Sequence, residues 1–161
     1  MIHIRQVNPQ GSRVYMGVLT DGAVLHDALN ETAASLNIQT ATFELLGGLD
    51  EVQFTAYDFK TQTRLEPILI ERPLEIVSGH GTISQLDGAL HIHTHLTVSF
   101  REAAAPYGMV VLGGHVAAAR CFAVEFTLTS YDGAPVHRAE HAGTGLKLWS
   151  LPPLQTGISP K

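Results

Sequence analysis

Cysteine is nearly absent from this chain: Cys121 is the one example in 161 residues, so no internal disulfide framework holds the fold. Its neighbours, Arg120-Cys121-Phe122-Ala123-Val124, read as strand and make it a buried, inert thiol. Positive charge is scarce too. Ten Lys and Arg against 15 Asp and Glu leave a net charge of −5 with histidine neutral. That balance opposes nucleic-acid binding, whose affinity comes largely from cations meeting phosphates. No stretch approaches the ~18 continuous apolar residues of a membrane span. The start, Met1-Ile2-His3-Ile4-Arg5-Gln6, lacks the apolar run of a signal peptide. A soluble cytoplasmic chain is the expectation, with no membrane partner. Charged residues make up only 16% against 45% hydrophobic, which describes a folded domain with apolar surface to spare for an oligomer.

Helical patterning is confined to one segment. From Ala23 to Leu36, the residues Leu25, Ala28, Leu29, Ala33 and Leu36 recur at spacings of three and four, one apolar stripe that must lie on a sheet. Thr20-Asp21-Gly22 offers side-chain oxygens to cap its start, and Asn37 suits its end. The remainder reads as strands: Arg13 to Leu19, Gln39 to Leu46 stopped by Gly47-Gly48, Val52 to Asp58, a short piece within 59–72 broken by Pro67 and Pro73, Leu74 to Ser84, the segment after Asp87-Gly88, Met109 to Leu112, Arg120 to Ser130, and Gly145 to Trp149. No strand–helix–strand alternation appears, so a doubly wound parallel sheet is excluded. The fold class expected is α+β: a mixed, largely antiparallel sheet of about seven strands with one main helix packed on it. Residues 1–13 are expected to be a mobile lead-in, 14–151 a single domain, and 152–161 a tail.

The richest chemistry lies between Leu90 and His115. In a strand, His91, His93 and His95 project to one side, while Leu90, Ile92, Leu96 and Val98 fall on the other. A return strand ending Gly113-Gly114-His115 brings a further imidazole alongside. Neutral imidazole is the commonest protein ligand for zinc and similar metals, so the pattern points to a three-histidine metal site. The plain alternative is a solvated sheet face or a subunit contact. His80, between Gly79 and Gly81 on the preceding strand, approaches the same place. His3, His26, His137 and His141 carry no pattern and read as surface residues. No Gly-x-Ser-x-Gly elbow, phosphate loop or dinucleotide fingerprint is present.

Taken in order, several segments resemble the plants-and-prokaryotes conserved (PPC) domain, also called domain of unknown function 296. They are Gly22 with its helix, Ile38-Gln39-Thr40-Ala41 leading to Leu46-Gly47-Gly48, Leu74-Glu75-Ile76-Val77, Gly81-Thr82-Ile83-Ser84, Asp87-Gly88, the histidine strand, Gly113-Gly114-His115 and Glu125. The resemblance implies an α+β subunit that forms a homotrimer and holds a divalent metal, usually zinc. Counting from Gly88, it assigns the metal to His93, His95 and His115, with His91, His80 and Glu125 as second-layer groups; whether His91 takes the place of His93 or His95 stays open. Glu125 would orient a ligand imidazole or act as a base toward metal-bound water. In plants the domain follows a DNA-binding AT-hook, and prokaryotic relatives carry DNA-binding names on that account. This chain has no Arg-Gly-Arg core, three histidines where the motif needs two, and a longer loop at 101–108. Three functions follow: a trimeric metal-containing protein with a DNA-binding or regulatory role, a purely structural metal, or a metal-dependent enzyme or small-molecule binder using an open coordination position.

Overall fold

The computed structural model describes residues 3–153. In chain order the elements are β1 (Ser12–Thr20), α1 (Leu25–Ser35), β2 (Ala41–Thr55), β3 (Tyr57–Asp58), β4 (Thr63–Arg64), β5 (Ile68–Leu86), β6 (Ala89–Arg101), β7 (Met109–Tyr131), β8 (Arg138–Glu140) and β9 (Lys147–Trp149). The main sheet runs β1-β7-β2-β5-β6, with every neighbouring pair antiparallel. Its last strand, β6, pairs back onto β7. Four strands thus close into a small barrel, with β1 added along the C-terminal half of β7. Closure satisfies backbone groups that an open sheet leaves bare.

The main sheet has five strands where the sequence suggests about seven, and its ladders are antiparallel throughout. The difference lies at glycine and proline. Gly47-Gly48 does not stop β2: the chain takes a bulge there, with Gly47 at φ +119°, and continues to Thr55. Pro73 sits within β5 at a register irregularity, and β7 runs unbroken through Gly113-Gly114-His115. A bulge absorbs one extra residue and bends the strand without ending its pairing. Two small ribbons, β3–β4 and β8–β9, complete the strands.

The helix is where its periodicity puts it. Leu25, Leu29 and Ala33 are fully buried, and Asn37 ends the helix in the left-handed region at φ +52°. The expected side-chain cap is absent. Val24 is the capping residue and makes no side-chain bond, while the Thr20 hydroxyl donates to Asp21. The turn instead docks on β7: Gly22 N–H donates to the Cys121 carbonyl and Cys121 N–H to that of Ala23. This fills the stretch of β7 edge between the ends of β1 and β6. Cys121 is buried and inert as expected, its thiol pushed up to about 11 by burial.

The lead-in is not free. His3 bridges Pro153, Ile4 N–H donates to the Pro152 carbonyl, and Arg5 donates to the carbonyls of Ala134 and Pro135. Residues 154–161 of the expected tail lie outside the described residues. The segment after β7 is likewise tied down, since Gln85 N–H donates to the Val136 carbonyl and the Arg138 side chain bonds back to β5.

Asp87 and Gly88 both have positive φ, +51° and +83°. A two-residue turn of that kind matches the twist of the strands and fixes their register. It sets His80 opposite His95 and Thr82 opposite His93. Gly81 makes the packing there feasible: a Cβ would overlap the Phe43 ring and the backbone carbonyl of His93. Gly81→Ala is expected to lower stability by ~1–3 kcal/mol through overpacking, read as a lower denaturant midpoint with an unchanged slope.

Candidate metal centre

The site is a product of strand register. Directly opposed residues in a sheet share a face. Glu44 of β2 opposes His80 of β5, His80 opposes His95 of β6, and His95 opposes His115 of β7. His93 lies two residues from His95 on the same face. The alternate residues Thr94, Leu96 and Val98 point inward and are buried. The histidines therefore stand on the outer face of the closed sheet, at the seam where β6 meets β7.

One nitrogen from each of His93, His95 and His115 can be chosen so that all three lie within 4.8 Å of one another. Their rings are 5.2 Å (93–95), 4.8 Å (93–115) and 5.3 Å (95–115) apart, centroid to centroid. Bonds of ~2.05 Å at a tetrahedral angle need nitrogens ~3.4 Å apart, so a metal there would draw the rings together. The donor set fits a borderline-soft divalent metal. All three are imidazoles, and among the described residues no carboxylate joins the group.

Electrostatics prepares the nitrogens. Burial pushes His93 down to about 3, helped by His115, Arg138, His95 and His91. Burial followed by Arg64 and neighbouring histidines takes His115 down to about 4. His95 is lowered as well, by desolvation and then by His80 and Arg64. All three rings are neutral at physiological pH, the state a metal requires.

The other expected residues separate. His91 is a same-face neighbour, its ring 6.4 Å from that of His93, and His80 stacks against His95 at 6.5 Å; neither belongs to the group of three. Glu125 lies on β7 beyond the stretch that pairs with β6, opposite Val18 of β1 and Leu46 of β2, ten residues from His115 and so ~33 Å along the strand at ~3.3 Å per residue. It faces a different cleft, with Met16, Leu46 and Val77, and is not brought to the imidazoles.

Two residues without a local sequence signal do reach the site. The Arg138 Nη2 lies 3.3 Å from His93 Nδ1, delivered by β8 from far along the chain. His26 of α1, which reads as a surface residue in sequence, is half-buried with its Nε2 3.0 Å from the Thr94 hydroxyl. The Arg138 contact has a tautomeric consequence. With Arg138 donating to Nδ1, the proton of neutral His93 sits on Nε2. Ligation through Nε2 would move that proton to Nδ1, and ligation through Nδ1 would take the acceptor directly, so a metal held by His93 would displace the Arg138 contact.

The model of the Plants and Prokaryotes Conserved (PCC) domain matches residues 6–132. The chain belongs to that family. No functionally curated protein matches it by sequence. The PCC fold recurs in a metal-containing protein from Archaeoglobus fulgidus, 24% identical, with a TM-score of 0.78, covering 92% of this chain and 98% of that one. A plant- and prokaryote-conserved (PPC) protein from Pyrococcus horikoshii is 23% identical, with a TM-score of 0.76, covering 88% and 94%. A Ralstonia eutropha protein named "putative DNA-binding protein" is 25% identical, with a TM-score of 0.73, covering 91% and 95%. The PCC match ends before Arg138, so the β8–β9 ribbon lies outside the matched segment.

The depressed histidines carry a pH prediction. The unfolded chain binds protons below ~6.5 that folded His93 and His115 refuse until about 3 and about 4. Folding stability therefore falls as pH drops from about 6.5 and levels off near pH 3. Metal-free protein should melt at a lower temperature at about pH 5 than at about pH 7.5. Replacing both histidines by Asn should narrow that difference; an unchanged difference would show that other groups cause it.

Proposed function

We propose that this PCC-domain chain is a trimeric zinc-binding protein whose metal, held by His93, His95 and His115, keeps one coordination position open for a ligand. The observation that carries the reading is the convergence of three neutral imidazole nitrogens within 4.8 Å on one sheet face. Nitrogen donors suit zinc, and three protein ligands are the pattern of open zinc sites rather than closed structural ones. Bound there, zinc supplies Lewis acidity; the chain's part is to hold the rings neutral and fixed by register. His80 and His91 flank the group, and Arg138 places a cation beside it.

Binding is favoured over hydrolysis. Water activation calls for a base within hydrogen-bond reach, and the register carries Glu125 away from the site. The trimer is supported by the outer face of the sheet. Val14, Met16 and Val18 alternate outward on β1 and are more than 60% exposed, with Leu46 and Val77 nearby. A side-by-side apolar group of that size is the kind of surface that subunits cover. A DNA-binding or regulatory role is the second reading, drawn from the name of the Ralstonia relative; the net charge of −5 weighs against direct DNA contact.

Zinc titration at neutral pH, followed by metal analysis after gel filtration, should give one zinc per chain. His115→Ala should cut affinity at least tenfold, whereas His91→Ala should leave it within about twofold. Sedimentation equilibrium of the same sample should give three chains. Zinc retained in His93→Ala, His95→Ala and His115→Ala alike would overturn the site.

A further inference from the structure

Arg138 is a half-buried cation without a counter-charge among the described residues. Its Nε donates to the Ser84 hydroxyl at 2.8 Å, Nη1 to the Lys147 carbonyl at 2.9 Å, and Nη2 to the Thr82 hydroxyl at 3.2 Å, with His93 Nδ1 at 3.3 Å. Every one of these acceptors is neutral. Among the described residues no carboxylate pairs with it, and Glu140, its neighbour on β8, is taken by Lys147. Burial holds the guanidinium below its ordinary value. A partly desolvated cation surrounded only by dipoles is costly, and an anion offsets that cost. Four of its five N–H groups are engaged, which leaves one free on Nη1.

The space beside Arg138 has two kinds of wall. A cleft of about 470 Å³ is lined on its polar side by His80, His93, His95 and Arg138, and on its apolar side by Leu148 and Trp149 of β9. Trp149 also sits 5.8 Å from the Arg138 guanidinium, ring centroid to Cζ. An apolar wall facing a cation with no partner is the lining of a ligand site that fixes one charged end and buries the rest. The one free N–H on Nη1 gives a carboxylate a charge-assisted bond, stronger than the same bond to a neutral acceptor.

We propose that this cleft binds a small organic acid, its carboxylate on Arg138 and its apolar body against Leu148 and Trp149. Arg138, Leu148 and Trp149 come from the β8–β9 ribbon, beyond the residues 6–132 that the family model matches. The site needs no metal, although its polar wall is shared with the histidine group.

The ligand reports on itself, because Trp149 is the one tryptophan in the chain. Metal-free protein is titrated with cyclohexanecarboxylate, and tryptophan emission is followed. A saturable change is expected, at least tenfold weaker for cyclohexylmethanol, acetate and inorganic phosphate. Arg138→Gln should weaken binding at least tenfold. Arg138 also ties the ribbon to β5, so Leu148→Asp provides a variant that leaves the arginine's bonds alone. Leu148 is 41% exposed, and an aspartate there should repel the acid equally. No saturable change in the wild-type protein, equal binding of the alcohol or of phosphate, or undiminished binding in folded Leu148→Asp would each overturn the proposal. Because the protein is metal-free, it stands or falls apart from the zinc reading.

Discussion

From His95 opposite His115 to Arg101 opposite Met109, β6 zips antiparallel onto β7, and this short ladder closes the sheet. Without it the fold would be an open five-stranded sheet with a free edge at β6. The imidazole on β7 would then have no fixed relation to those on β6. With it, one hydrogen-bond register settles both the barrel and the spacing of three rings. The backbones approach closely at the seam: a Cβ on Gly113 would press on the Leu96 carbonyl and Thr97. Closure and ligand placement are thus one constraint, met by the same Gly-Gly-His segment.

The rest of the site follows from what surrounds that seam. The Asp87-Gly88 turn sets the register of β5 against β6, and so aligns His80 with His95. Desolvation keeps the rings uncharged at neutral pH. Arg138 leans on His93 from the far end of the chain. A metal held by His93 would exclude the Arg138 contact with that ring.

Much of this was legible in the sequence. Period-two alternation placed the three β6 histidines on one face, period-three-and-four placed the helix, and Asp-Gly placed the hairpin. The packing of Phe43 and Leu96 against Gly81 and Gly79 had no such signal. Strand number was not legible, because glycine and proline mark both a strand's end and a bulge within one, and only the partner strand decides between them. The separation of Glu125 from the histidines was hidden for a related reason: β7 runs unbroken through Gly113-Gly114, which carries Glu125 ten residues along the same strand from His115. Arg138 and His26 had no local signal at all, since tertiary packing brings them in from segments remote in sequence.

The central claim is that His93, His95 and His115 bind one metal together. X-ray absorption at the zinc edge, on protein loaded with one equivalent of zinc, tests it most directly. The account predicts a first shell of low coordination number containing three imidazole nitrogens at ~2.0–2.1 Å, with the outer-shell scattering of ordered rings. A six-coordinate shell of oxygen alone, without imidazole scattering, would contradict it.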